Sequence, residues 1–268
     1  MSAPATKPPA PTKAAEKAAK PSPVETSKPT LKCMVICPTG NAGKTTTSVY
    51  LLYPRLEDPA FFSVEINNLS AKDWGVKGTY TFEGKEFPEM LREAMLSPGS
   101  VIADIGASTN AEFTITAAEY EGSLTHFDLF VIPVVDEDKN IAEAMRAVVQ
   151  LHSLGIDPNR IRLLPNRIKR GKVREGALHS LFDFVTDSKQ AWINEGCYIP
   201  ESALFRYLGT NQLSASDLAD GAEYMRRAKE ATDRKEAAAM MDRYIHSTMA
   251  NQVTKTLDHT FALLTKDL

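Results

Sequence analysis

The run Gly40-Asn41-Ala42-Gly43-Lys44-Thr45-Thr46 gathers small residues, one lysine and two hydroxyls in a single tight stretch. In such a loop successive backbone N–H groups point inward at an anion, and the following helix adds the dipole of its N-terminus. Gly40, Ala42 and Gly43 let the backbone approach a phosphate closely, and Asn41 tolerates a left-handed conformation. Lys44 is placed to reach the β- and γ-phosphates of a nucleotide, and Thr45 offers a hydroxyl to Mg2+. The full pattern G-x-x-x-x-G-K-[ST] is one residue short, because Pro38 stands where its first glycine belongs. The competing account is an ordinary strand-to-helix turn that carries Gly-Lys-Thr by chance.

Three further positions fall where such a loop would need help. Asp104 closes the apolar run "SVIADIGAS" and would orient a Mg2+-bound water, or else cap the next turn. Asn166 and Arg167 end another apolar run, where the amide could read an adenine ring; a structural turn is the alternative. Pro200 and Glu201 end the last such run and would line the ribose or base, or simply bound a loop.

These residues need a scaffold, and the spacing of apolar residues supplies one. Short apolar runs at 31–38, 61–67, 99–108, 127–135, 161–168 and 196–200 read as strands. The unbroken run "FDLFVIPVV" (127–135) marks a strand buried on both faces. Segment 44–56 has helical character up to Pro54, and 140–155 places Ile141, Met145, Val148, Val149 and Leu151 on one helical face before Gly155. Strands alternating with helices predict an α/β fold: a doubly wound, mostly parallel sheet that binds ligands beyond the carboxyl ends of its strands. Three units are expected: a Pro/Ala/Lys-rich disordered tail over 1–30, a nucleotide-binding domain over 31–213, and a helical extension over 214–268 packed on that domain. Ser214 to Asp217 offers N-cap chemistry for the extension.

The bulk numbers narrow the class. A formal charge of -3 argues against wholesale coating of nucleic acid, although "NRIKRGKVREG" (166–176), the cations Arg226, Arg227, Lys229, Arg234 and Lys235, and the weakly basic tail leave a local surface for non-specific DNA. No apolar run approaches the roughly 20 residues of a membrane span. The first residues lack the apolar core of a secretory signal, and three cysteines make no disulfide framework, so a cytoplasmic protein is expected. Cys33 and Cys37 read as core residues, and the scattered histidines suggest no metal.

The stretches "TGNAGKTTTS", "FSVEINN", "SVIADIGAS", "FDLFVIPVVDED", "LLPNRI" and "YIPESALFRYL" fall in the order and spacing of the ParA/MinD class of deviant-Walker P-loop ATPases, which the chain resembles from about 32 to 212. Within that class it is most similar to the plasmid-stability StbB type. The resemblance implies ATP or ADP with Mg2+, a nucleotide-dependent homodimer, and DNA positioning through a plasmid-encoded adaptor or DNA-binding protein in a bacterial cytoplasm, associated with nucleoid or plasmid. It makes Lys44, Asp104 and Asn67 the catalytic set, Thr45, Glu65 and Asp104 the metal set, and Gly40 to Thr46 with Asn166, Arg167, Pro200 and Glu201 the nucleotide set.

Three departures follow from the same comparison. The class carries a lysine that reaches across the dimer to the partner's phosphates, and this chain has Thr39 there. The second strand of the class ends D-x-D, and here Glu65-Ile66-Asn67 keeps one carboxylate but puts an amide where an acid orients water. Pro38 fixes φ and removes an N–H. Slow hydrolysis and a doubtful sandwich dimer are expected, with a non-hydrolysing interaction protein on the same fold as the alternative.

Overall fold

The computed structural model of the chain describes residues 28–36, 39–64, 76, 78–120, 122–169 and 171–268. Pro38, Glu65 and Asn67, and with them two of the three departures, lie outside the described residues, as do Cys37 and most of the N-terminal tail.

Six strands make one sheet in the order β3-β2-β4-β1-β5-β6: β1 (Lys32–Ile36), β2 (Ala60–Val64), β3 (Thr79–Phe82), β4 (Val101–Ile105), β5 (Leu129–Val134) and β6 (Ile161–Pro165). Every pairing is parallel. Side chains alternate across a strand, so each central strand feeds two cores. Met34 and Ile36 join Phe130, Ile132 and Val134 on one face, while Cys33 and Val35 join Leu129 and Val131 on the other. Because both faces are covered, β5 is apolar at every position, as its sequence required.

The first face is covered by α1 (Phe87–Leu96), α2 (Asn110–Glu119), α3 (Asp138–Ser153) and α4 (Leu178–Ser188). The second face is covered by the helix that follows the glycine loop, by α5 (Ala203–Asn211), and by α7 (Arg234–Leu264). A shorter helix, α6 (Gly221–Glu230), leads into α7. Val253, Leu257, Phe261 and Leu264 of α7 are buried there beside Leu51, Leu52 and Leu204. Asp104 lies between Ala103 and Ile105, which face the first core, so its side chain turns to the second face, the one that carries the loop helix.

Several local expectations are corrected. Val149, expected on the apolar face of the 140–155 segment, is exposed on α3, while Ile141, Val148 and Leu151 are buried. The loop helix is wound in π turns over Thr46–Leu52, and Pro54 sits in a single 3-10 turn (Tyr53–Arg55) beyond it. Segment 196–200 forms no strand of the sheet. Ile199 N donates to Pro165 O at 2.9 Å and Ile168 N to Ile199 O at 3.1 Å, but Pro200 has no N–H to extend the ladder. Ser214 does not cap a long helix: its N and Oγ bond Asp217 Oδ2 at 2.7 Å and start a short 3-10 turn. The helix caps are Asp220 and Asp233, whose carboxylates accept from Glu223 N and Glu236 N at 3.0 and 2.9 Å. No helix among the described residues is long and apolar enough to cross a membrane.

Candidate functional site

The glycine loop leaves β1 and turns back through two left-handed residues, Asn41 (φ 65°) and Gly43 (φ 97°). Gly43 has a second reason to be glycine: a Cβ there would lie 1.6 Å from Asn166 Nδ2. Asn166 ends β6, is buried, and donates from Nδ2 to Ala42 O at 2.7 Å while its Oδ1 accepts from Arg167 N at 2.8 Å. Asn166 therefore holds the loop in shape from the end of β6, two strands over from β1. The amide expected to read a base is engaged within the chain through both its nitrogen and its oxygen. A Cβ on Gly40 would meet nothing within 4 Å, which marks the open side of the loop.

Lys44 starts the helix after the loop. Its Nζ lies 2.9 Å from Asp104 Oδ2, and Ser48 Oγ donates to Asp104 Oδ1 at 3.0 Å. Lys44 and Ser48 are four residues apart, so both project from one side of the helix and engage the two oxygens of one carboxylate. Parallel pairing sets Asp104 opposite Val35, one strand over from the loop's root, which is why the lysine can reach it. Ser48 is fully buried and was missed by sequence reasoning; the four-residue spacing from Lys44 was the available signal. Thr45 and Thr46 are half-buried on the same turn, and Thr47 Oγ1 donates to Gly43 O at 3.1 Å.

Thr39, at the position where the ParA/MinD class carries a lysine, is tied inward. Asn140 Nδ2 on α3 donates to Thr39 Oγ1, and Asn140 Oδ1 accepts from Val135 N at 2.8 Å. The start of the loop is thus fastened to the end of β5. Next to it, Asp136 accepts from Ala177 N at 2.8 Å and Leu178 N at 3.3 Å, capping α4 and fixing the end of the basic segment that follows β6.

Pro200 and Glu201 sit on the far side of Asn166. Glu201 N donates to Ile168 O at 3.0 Å, and Pro200 bridges Ile168, so both belong to the same carboxyl edge of the sheet. They line a groove of about 660 Å³ whose other wall is α7. Arg167, left-handed at φ 58°, stands between this groove and the loop in sequence.

Three cations of the basic segments are ion-paired. Lys172 pairs with Glu175 at 2.5 Å, Arg174 pairs with Glu195 at 2.7 Å and lies over the Phe182 ring, and Arg226 pairs with both Glu223 and Glu230. Cys33 and Cys197 are core thiols: burial pushes Cys197 up to about 12 and Cys33 higher still, with the Asp128 charge adding to the second. Among the described residues no three His, Cys, Asp or Glu side chains cluster as a metal site.

No protein-family model matches the chain, and no curated protein matches it in sequence. Solved structures do match. The MinD cell division protein of Aquifex aeolicus aligns at 17% identity over 84% of this chain and 97% of that one, with a TM-score of 0.50. The ATP complex of a Cyanothece McdA point variant aligns at 15% identity over 85% and 98% (TM-score 0.45). A putative plasmid partition protein of Borrelia burgdorferi bound to AMPPNP aligns at 12% identity over 84% and 100% (TM-score 0.45). At these identities the likeness to the Aquifex protein is one of fold alone: the chain shares its architecture, a parallel, doubly wound six-stranded sheet with helices on both faces.

Proposed function

We propose that the protein binds ATP with Mg2+ and acts as a nucleotide-dependent switch in positioning or maintaining DNA, in the manner of the plasmid-partition ATPases. The observation that carries this reading is the convergence of Lys44 and Ser48 on Asp104, beside a loop held open by Asn166. Lys44 turns from Asp104 to the β- and γ-phosphates, the backbone N–H groups of Gly40 to Thr46 hold them, and Asp104 with the Thr45 hydroxyl faces the metal. A Mg2+ ion held there would supply neutralisation of the phosphate charge. The resemblance gives Glu65 and Asn67, both outside the described residues, the roles of a further metal carboxylate and a weak water-orienting amide, so turnover is slow. The assembly is a homodimer that works with a plasmid-encoded adaptor or DNA-binding protein, and the StbB-type role in plasmid stability is the narrower form of the proposal.

A steady-state phosphate-release assay beside equilibrium ATP binding tests it, with Lys44→Ala as control. Wild type binds ATP and releases phosphate slowly, and the variant does neither. Absence of ATP binding by wild type would sink the reading.

The Thr39–Asn140 tether favours a second reading of the same site. A short side chain bonded inside its own subunit offers no charge to a partner's phosphates. Binding without hydrolysis, serving an interaction protein, fits that geometry. Saturable ATP binding with phosphate release no faster than that of Lys44→Ala selects it.

A further inference from the structure

We propose that α7 forms the outer wall of the base pocket, and that Gln252 and Thr256 on it read the base of the bound nucleotide. This rests on the nucleotide-binding reading above and assigns ligand contacts to the helical extension. The groove of about 660 Å³ has the size of a small-molecule site. It starts from the strand end that also anchors the phosphate loop: Asn166, just after β6, bonds Ala42, and two residues on Ile168 lines the groove and accepts from Glu201 N.

The lining suits a heterocycle on a sugar. Tyr198, Pro200 and Met249 present half-buried flat or polarisable surface, the kind on which a ring stacks. Residues 249, 252, 256 and 259 follow the three- and four-residue spacing of one helical face, so Gln252, Thr256 and His259 share the groove side of α7. The adjoining face, with Val253, Leu257 and Phe261, is locked in the core, which fixes the orientation of the groove face. A carboxamide both donates and accepts, the pairing that the amino and ring-nitrogen edge of adenine requires. Lys169 and Lys255 share the lining with the carboxylate of Glu201, so the groove carries one more positive than negative charge, which suits a polyanionic ligand.

A second connection joins α7 to the loop helix. Arg55 Nη1 donates to Tyr50 O and Leu51 O, each at 3.0 Å, while the same guanidinium pairs with Asp258 of α7 at 2.7 Å. The helix that begins at Lys44 is therefore clamped at its far end to the helix that walls the groove. Phosphate and base would be felt by one element.

The test titrates the full chain with ATP, GTP and inorganic tripolyphosphate, each with Mg2+. Wild type is expected to bind ATP more tightly than tripolyphosphate. Gln252→Ala should lose about tenfold in ATP affinity and narrow the ATP-to-GTP ratio, and Thr256→Trp, which fills the groove from a half-buried position, should remove the advantage of ATP altogether. Both variants should hold tripolyphosphate within twofold of wild type and keep their helical signal, which separates a groove effect from unfolding. Equal affinity of wild type for ATP and tripolyphosphate, or unchanged ATP binding by both variants while Lys44→Ala loses it, overturns the assignment but leaves the phosphate loop standing. No binding of any of the three by wild type fells the nucleotide reading and this inference with it.

Discussion

Adding one methyl group at Gly43 is expected to damage the loop more than any other small change there. The backbone sits at φ 97°, where an L-residue pays about 1–2 kcal/mol relative to glycine. The new Cβ would lie 1.6 Å from Asn166 Nδ2, so Asn166 must leave Ala42 O. Losing that buried hydrogen bond and leaving its groups unpaired costs about 1–3 kcal/mol more. The central expectation is about 3.5 kcal/mol, and at roughly 2–4 °C per kcal/mol the melting temperature falls by about 7–14 °C. Gly40→Ala is the control: its Cβ meets nothing within 4 Å, and its effect should be within about 0.5 kcal/mol. Thermal and urea unfolding of both variants measure this, with an unchanged urea slope showing that only stability moved. In an Asn166→Ala background the clash is gone, so Gly43→Ala should then cost only the backbone strain of about 1–2 kcal/mol. Melting of Gly43→Ala within about 2 °C of wild type would refute the claim that Asn166 pins this loop.

Other expectations follow from particular contacts. Arg55→Ala should lower stability by about 2–3 kcal/mol in urea unfolding, because Tyr50 O, Leu51 O and Asp258 lose a common donor; Arg55→Lys should recover less than half, since an ammonium lacks the fork. Cys33 and Cys197 have raised pKa values, so their thiolate fraction at pH 8 is lower than that of an ordinary thiol. Mass spectrometry should find them unalkylated by iodoacetamide until the protein unfolds, and labelling of either in the native protein at the rate of an exposed cysteine would contradict it. Thr39→Lys breaks the tether to Asn140 and supplies a cation toward a second subunit, so sedimentation velocity should show more ATP-dependent dimer than wild type; an unchanged distribution argues against a missing clamp. If the protein touches DNA directly, affinity should fall steeply with salt, and Arg226→Ala should change the salt slope little because Glu223 and Glu230 already engage that arginine.

The sequence was most legible where one physical cause acted alone. Double-sided burial made β5 an unbroken apolar run, and the order of strands and loops led from Lys44 to Asp104 although 60 residues separate them. Legibility failed where tertiary contacts decided. β3 is a short edge strand with Tyr80 exposed, so no alternating pattern announced it. Segment 196–200 looked like a strand because Cys197 and Ile199 are buried, yet Pro200 and a turn at Asn194 limit it to isolated bonds. Ser48 follows three threonines and carries no signal of its own; only the placement of Asp104 on the same sheet face gives it a partner. Asn140 and α7 acquire roles from what packs against them, a pairing that local spacing does not encode.

Everything proposed for this protein depends on the loop from Gly40 to Thr46 being a nucleotide phosphate site whose lysine is parked on Asp104. A crystal structure of the chain with ATP and Mg2+ decides the matter. Phosphates should lie against the loop N–H groups, with Lys44 Nζ moved off Asp104 Oδ2 onto a phosphate oxygen and Asp104 facing the metal. Nucleotide bound elsewhere on the chain, with the 2.9 Å Lys44–Asp104 pair intact, would show the proposed site to be wrong.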